Sequence, residues 1–152
     1  LNIGGSFRYG TRPTDVTGAD EDKRIRYGGE LELDLGNFLL QGEYIYGKDV
    51  GSYTTGGGCG GDPVQIQQGD IERAGFFVMA LYKTNFFLEP VIKYENYDSD
   101  LSVDENTEHI TTFGVNYFLN DWTRLQVNYC YRAEMDTEIP NDQVMVQLQA
   151  KF

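Results

Sequence analysis

Apolar residues recur at every second position in eight successive stretches of the chain. Between Leu125 and Tyr131, for example, apolar side chains alternate with Gln126, Asn128 and Cys130. A period of two is that of a β-strand with one apolar and one polar face, and no stretch has the period of an amphipathic helix. The pattern therefore predicts an all-β chain of eight strands.

The predicted fourth and fifth strands depart from strict alternation. Phe77, Met79 and Leu81 make the second face of the fourth strand apolar as well. The fifth strand, which we predict to begin at Phe86, contains Pro90. A proline is tolerated in a strand at a bulge or a weakly paired position, so both segments remain predicted strands.

The connections between the predicted strands alternate in length. Outer-membrane β-barrels have short turns on the periplasmic side and longer loops on the outer side. The sequence therefore predicts a transmembrane, antiparallel, up-and-down β-barrel, with residues 1–152 forming a single domain or the C-terminal part of one. The short turns are predicted at residues 34–37, 83–85 and 120–122, and the long segments begin at Thr11, Lys48, Asn96 and Ala133.

Aromatic residues lie near both ends of the predicted strands. Phe38 and Trp122 lie beside short turns, whereas Tyr46 and Tyr94 lie near the long segments. Tyrosine and phenylalanine are common in strands of all kinds. Their position at both ends nevertheless favours a membrane barrel, because amphipathic rings concentrate at the two membrane interfaces.

Composition and charge exclude several classes of function. The net charge of −12 argues against a nucleic-acid partner, because such binding depends on Lys and Arg that neutralise phosphates. The longest apolar run, from Phe76 to Tyr82, is far shorter than the roughly 20 residues of a transmembrane helix. Leu1 opens directly into the alternating pattern without a signal peptide, so we expect a mature chain or one that starts inside a longer precursor.

Three segments of the chain carry a resemblance to a known family. Two of them are residues Thr111 to Tyr129 and residues Leu88 to Glu95 followed by Tyr97 to Asp100. They resemble the penultimate hairpin and an earlier hairpin of the phosphate-selective porin O and P family of Gram-negative outer-membrane porins. The terminal Gln149 to Phe152 resembles the general outer-membrane signal, ending in an aromatic residue, that the barrel assembly machinery reads. Phe152 is therefore the candidate assembly signal.

The resemblance implies a function, a location and partners. Members of the family have about twice as many strands, so the chain is expected to be the C-terminal half of a porin of roughly sixteen strands. Such a porin lets small hydrophilic solutes or ions diffuse across the bacterial outer membrane, anions such as phosphate among them. The implied partners are the lipid bilayer, lipopolysaccharide and the barrel assembly machinery, and a homotrimer is one assembly that the resemblance allows. No cofactor is expected.

The strand count decides between this function and an alternative. Eight strands alone would close into a barrel whose interior is filled by side chains, whereas about sixteen enclose an aqueous channel. The alternative is a small closed barrel with a structural or adhesive role, whose interior charges form a paired network. In the porin, the candidate pore-lining residues are Arg8, Arg24, Arg26, Glu30, Glu32, Glu43, Glu89, Lys93, Glu95, Arg124, Gln126, Arg132 and Lys151.

No catalytic or metal site is predicted. The single histidine, His109, lies beside Glu108 at the start of a predicted strand, without a nucleophile elbow or a glycine-rich phosphate loop. A base without a positioned nucleophile is weak evidence for catalysis, so we do not expect an enzyme. Acidic clusters at residues 20–22, 98–105 and 136–142 match no calcium-loop spacing, and we interpret them as solvated loop surface.

The two cysteines leave two interpretations open. Cys59 lies in the glycine-rich segment 56–62, and Cys130 belongs to the polar set of its strand. A disulfide between them would hold the longest loop inside the barrel, as an oxidising compartment permits. Two free thiols, with a loose surface loop around Cys59, are the other interpretation.

Overall fold

Eight antiparallel strands form one sheet in the computed structural model, which describes residues 1–12, 22–55, 64–134 and 139–151. Each strand pairs with its neighbours along the chain, in the order β1 to β8. Within the described residues no helix is long and apolar enough to cross a membrane. The strands are β1 (Asn2–Arg12), β2 (Asp22–Leu35), β3 (Phe38–Thr55), β4 (Val64–Tyr82), β5 (Leu88–Asp98), β6 (Thr107–Asn120), β7 (Thr123–Glu134) and β8 (Gln143–Ala150).

The register keeps the two predicted faces separate across the sheet. Phe7 pairs with Tyr27 between β1 and β2. Val127 pairs with Val115 on one side and with Val146 on the other. Because opposite residues of two paired strands point to the same side of the sheet, the apolar positions form one continuous apolar face. The remaining positions form the opposite side, the polar face.

Short turns join the strands at one end of the sheet. Between β2 and β3, Gly36 has a φ of +76°, which a residue without a Cβ adopts readily, and its N–H donates to Asp34 Oδ1 at 2.9 Å. Between β6 and β7, the N–H of Trp122 donates to Asn120 Oδ1 at 2.9 Å. These side chains complete the turns locally, as Asn and Asp commonly do.

Two predicted boundaries are wrong. The long segment expected from Lys48 is largely strand, because β3 continues to Thr55 and β4 begins at Val64, with a register shift between Gly51 and Ser52. Phe86 does not belong to β5 and lies in the turn before it. There Phe87 has a φ of +60°, and its carbonyl accepts from the N–H of Phe118 at 2.8 Å.

The sheet does not close within the described residues. β1 pairs with β2 and β8 pairs with β7, but β1 and β8 do not pair with each other. The described strands therefore form an open sheet with two free edges rather than an eight-stranded barrel. Phe152, Cys59 with its glycine-rich segment, and acidic positions 20–21 and 136–138 lie outside the described residues.

The polar face as the candidate functional site

The polar face is the more buried of the two faces, which reverses the arrangement of a water-soluble protein. Its Thr112, Asn116 and Cys130 are 9%, 5% and 5% exposed and are the buried residues of the described chain. On the apolar face Phe7 is 72% exposed and Val146 is 67% exposed. A soluble domain would bury its apolar side and expose its polar side. This sheet instead presents a broad apolar surface outward.

The thirteen predicted polar-face residues all lie among the described residues. The register places opposite one another Arg8 and Arg26, Glu30 and Glu43, Glu89 and Asn116, and Gln126 and Gln147. Lys151 directly follows β8, and its N–H donates to the carbonyl of Trp122 at 2.8 Å. The remaining predicted residues are Arg24, Glu32, Lys93, Glu95, Arg124 and Arg132, which occupy alternate positions of β2, β5 and β7.

Arginines gather on the polar face near the long-loop ends of the first strands. Arg24 Nε lies 3.1 Å from Asp49 Oδ1, and Arg26 donates to Asp49 Oδ2 at 3.0 Å. One carboxylate on β3 therefore binds two guanidinium groups of β2. Sequence reasoning missed Asp49, because it lies beyond the predicted end of the third strand.

Carboxylates gather on the same strands closer to the short turns. Glu30 lies directly opposite Glu43. Glu32 accepts hydrogen bonds from Asn2 Nδ2 at 2.9 Å and from Gln41 Nε2 at 2.6 Å. The polar face of β1 to β3 is therefore divided into a basic region toward the long-loop end and an acidic region below it.

On β5 a lysine ammonium contacts both a carboxylate and an aromatic ring. Lys93 Nζ lies 2.8 Å from Glu95 Oε1 and 4.5 Å from the centroid of the Phe77 ring. An ammonium over a ring face is attracted by the negative face of the π-system. This contact explains why an aromatic residue, Phe77, occurs on the polar face of β4.

The polar face of the last three strands is dominated by uncharged amides. Asn116, Gln126 and Gln147 lie opposite one another across β6, β7 and β8. Asn116 Oδ1 is buried and has no hydrogen-bond partner among the described residues. Nearer the short turns, Arg124 donates to Gln149 Oε1 at 2.7 Å. On these strands uncharged amides therefore face one another, whereas on β1 to β3 charged side chains face one another.

The long-loop end of the apolar face is marked by polar pairs. Lys48 Nζ contacts Glu72 Oε1 at 2.8 Å and Asp70 Oδ2 at 3.1 Å, one step beyond Tyr46 and Ala74. The Glu72 and Asp70 carboxylates raise the pKa of Lys48. The hydrogen bond from Lys48, followed by that from Tyr46, lowers the pKa of Glu72. The apolar face therefore ends at Tyr46 on β3.

The loop between β5 and β6 is ordered by its own acidic residues. Asp98 Oδ1 accepts from the N–H of Asp100 at 3.0 Å, and Asp100 Oδ1 accepts from the Ser102 hydroxyl at 2.7 Å and from the Ser102 N–H at 3.1 Å. These two bonds, the hydroxyl first, lower the pKa of Asp100. The carboxylates of this predicted acidic cluster therefore cap a turn.

Two further candidate residues of the sequence have structural partners. His109 lies on the apolar-face side of β6, where its Nδ1 is 2.8 Å from the Tyr94 hydroxyl and 3.2 Å from Asn96 Nδ2. Glu108, its neighbour in sequence, points to the opposite side of the strand. Cys130 is a free buried thiol whose sulfur accepts from the Thr112 hydroxyl at 3.5 Å.

Comparison with known proteins identifies a protein family. A protein-family model described as phosphate-selective porin O and P matches residues 12–152. The matched residues include the charged strands β2 and β3 as well as the hairpins at Leu88 and Thr111 that resemble the family in sequence. No curated protein and no solved structure matches the chain.

Proposed function

This chain belongs to the phosphate-selective porin O and P family, and from that premise we propose that its sheet is part of the wall of an outer-membrane pore. In this proposal the apolar face contacts lipid and the polar face borders an aqueous channel. Small hydrophilic solutes and ions diffuse through the channel without a cofactor or a chemical step. The observation that carries the proposal is the reversed burial of the two faces.

The strands have the length that a membrane wall requires. Transmembrane β-strands need roughly 9–11 residues when they are tilted. β6 has 14 residues and β7 has 12, and apolar residues occupy alternate positions from Phe113 to Leu119 and from Leu125 to Tyr131. An exposed apolar surface of this extent would make a soluble protein aggregate, whereas in a bilayer it contacts lipid tails.

The two free edges favour a larger barrel over a closed eight-stranded one. In the hydrocarbon core of a membrane every backbone N–H and C=O must have a partner, so an open sheet edge cannot face lipid. β1 and β8 each leave one edge unpaired within the described sheet. We infer that further strands complete the barrel, and a barrel of about sixteen strands encloses an aqueous channel.

The charges of the polar face support a channel without strong preference for phosphate. Anion selectivity in a pore depends on unpaired basic side chains. Here Arg24 and Arg26 already bind Asp49, and Glu30 and Glu43 lie opposite each other without an ion pair in the described chain. We therefore propose passage of small hydrophilic solutes in general, with paired arginines contributing little to anion binding.

The alternation of turn lengths supports an orientation in the membrane. Outer-membrane barrels place short turns in the periplasm and long loops outside the cell. The turns at Gly36 and Trp122 would then be periplasmic, and the ordered loop after Asp98 would face the outside. Lipopolysaccharide would contact the end of the apolar face near Tyr46.

Conductance of the native protein in planar lipid bilayers tests the proposal. We expect a stable ohmic conductance, because a barrel of about sixteen strands holds a continuous water path. Arg124→Glu or Arg132→Glu should shift the ratio of anion to cation permeability toward cations. Lys23→Glu makes the same charge change on the apolar-face side of β2 and should leave the ratio nearly unchanged.

Two results would contradict the proposal. A correctly folded native protein that produces no conductance would favour a structural barrel. A permeability ratio that responds equally to Arg124→Glu and to Lys23→Glu would show that the polar face does not line the conducting path.

A further inference from the structure

Six side chains of the polar face lie in two adjacent rows near the short-turn ends of β6, β7 and β8. The row nearer the turns crosses β7 at Arg124, and the next row crosses it at Gln126. We call the six residues the amide patch, which consists of Phe118, Arg124 and Gln149 in the first row and Asn116, Gln126 and Gln147 in the second.

The amide patch is compact enough for one small solute to span it. Neighbouring strands lie about 4.8 Å apart, and alternate residues of one strand lie about 6.7 Å apart. Arg124 and Gln126 form the middle of the patch, with β6 one strand spacing away on one side and β8 one strand spacing away on the other. A solute over β7 is therefore within reach of side chains from all three strands.

Most hydrogen-bonding groups of the patch are unused within the described residues. The side chains of Gln126 and Gln147 form no hydrogen bond there. Asn116 is almost fully buried, and its Oδ1 has no partner in the same part of the chain. Arg124 donates to Gln149 Oε1 at 2.7 Å through one terminal nitrogen, which leaves its other donors and the Gln149 NH₂ group free. The patch therefore offers both donors and acceptors to a ligand.

Charge is sparse in and around the patch. Arg124 is its one charged member, and the carboxylate of Glu89 lies beside it, opposite Asn116 on β5. Lys151 follows β8 at the turn end, outside the two rows. The next row toward the long loops contains uncharged residues, namely Val91, Gly114, Asn128 and Met145. Neutral amides, rather than opposed charges, therefore dominate this part of the wall.

Phe118 adds an aromatic ring to these polar groups. It is half-buried and lies directly opposite Arg124. A sugar has the complementary chemistry, because the C–H groups on one side of its ring are apolar and pack against an aromatic ring. Its hydroxyls both donate and accept hydrogen bonds, as the amide side chains do. The ring and the amides together therefore match a neutral, polyhydroxylated ligand.

We propose that the amide patch is a binding site for neutral sugars at the short-turn end of the pore. The sugar ring lies over β7 with its apolar side against Phe118. Its hydroxyls accept from Arg124 and donate to the amide oxygens of Gln126 and Gln147. A solute without a series of hydroxyls leaves these groups unsatisfied. The inference rests on the proposed function, because it places the site inside the pore.

Uptake by proteoliposomes containing the native protein tests the site with glucose and with triethylene glycol, an uncharged solute of similar mass that has hydroxyls only at its ends. We expect glucose uptake to saturate with concentration and triethylene glycol uptake to rise linearly. Gln147→Leu should weaken the half-saturation by glucose about threefold to tenfold, the loss expected for one neutral hydrogen bond. Phe118→Leu should weaken it to a similar extent through the lost ring contact.

Two further variants provide matched controls on the same strands. Gln143→Leu removes an amide from the polar face of β8, four residues from Gln147 and opposite Cys130. Phe113→Leu makes the same aromatic change on the apolar face of β6. Both variants should leave the half-saturation by glucose unchanged.

The outcomes separate the site from the pore. Failure of both solutes to enter would overturn the proposed pore and the site with it. Linear uptake of both solutes would overturn the sugar site and leave the pore intact. Saturable glucose uptake that neither Gln147→Leu nor Phe118→Leu affects would overturn the assignment to the amide patch. If a variant fails to fold, the two solutes compared on the native protein still decide, because only glucose uptake should saturate.

Discussion

The two faces of the sheet follow opposite rules of side-chain burial. On the apolar face Val144 and Val146 of β8 pair with Tyr129 and Val127 of β7, and both β8 valines remain exposed. On the polar face the amide of Asn116 is almost fully buried. The difference shows which medium each face is suited to contact, since hydrocarbon accepts the valines at no cost and a hydrated interior accepts the amides. Under the proposed function, alternate residues of one strand therefore contact two different solvents.

The largest expected effect comes from placing a charge on each face in turn. Arg at Val127 or Val146 should destabilise the folded barrel by about 2–4 kcal/mol if the position lies near the bilayer midplane. Arg at the neighbouring Gln126 or Gln147 should cost much less, because its side chain enters the aqueous side. Unfolding of the protein in lipid vesicles by urea measures both. Equal free-energy costs on the two faces would show that the faces do not contact different media.

A smaller effect is expected from adjacent glycines that point to opposite faces. A Cβ at Gly28, on the polar face, would lie 3.0 Å from the carbonyl oxygen of Tyr44, whereas one at Gly29 would lie 3.9 Å from that of Gly4. Gly28→Ala should destabilise by about 1–3 kcal/mol through overpacking. Gly29→Ala should be neutral or stabilise by about 0.4–1 kcal/mol, because alanine restricts the unfolded chain.

The same urea unfolding measures the glycine pair. Equal stability of Gly28→Ala and Gly29→Ala would mean that the backbone is no more crowded on the polar face than on the apolar face. The order of the two variants therefore tests the difference in backbone crowding between the two faces without introducing any charge.

The smallest effect is expected at Lys48, where the apolar face ends. The pKa of Glu72 is lowered in the folded protein, so its contribution to stability is present above about pH 4.5 and is lost as the pH falls through the folded pKa. The pKa of Lys48 is raised, so its contribution is present below about pH 10.5 and is lost as the pH rises through its folded pKa. Lys48→Met should therefore reduce the loss of stability at both the acidic and the alkaline end of the pH range.

The folded fraction after incubation across the pH range, read from heat-modifiable mobility on a gel, measures this effect. Lys23→Met, at an exposed position of β2 outside the ion pairs of Lys48, should keep both limits. A pH–stability profile of Lys48→Met that matches that of the native protein would show that the Lys48 ion pairs do not contribute to stability.

The faces could be predicted from sequence, but the pairing of charges could not. Alternation assigned Arg26 and Glu43 to one side of the sheet, because a period of two follows from strand geometry alone. The partner Asp49 lay beyond the predicted end of the third strand, where Gly51 and Ser52 weaken the pattern. β3 and β4 extend through this segment because their backbones pair with each other. The sequence of either strand alone does not indicate this pairing.

The turns show the same limit on a smaller scale. The short turn at Gly36 was predictable, because Asp, Gly and Asn are turn residues. The position of Phe86 outside β5 was not, since it depends on the hydrogen bonds of Thr84 with Leu88 and of Phe87 with Phe118. Neither the local bond nor the long-range bond between Phe87 and Phe118 leaves a periodic signal in the sequence.

Thiol labelling along β7 in the folded, membrane-embedded protein tests the central claim most directly. In a background in which Cys59 and Cys130 are replaced by Ser, single cysteines are placed at residues 124 to 128 and treated with a charged, membrane-impermeant thiol reagent. The account predicts that cysteines at Arg124, Gln126 and Asn128 react and reduce the conductance, while those at Leu125 and Val127 do not. Uniform labelling, or labelling of the Leu125 and Val127 positions alone, would contradict a polar face that borders the aqueous channel.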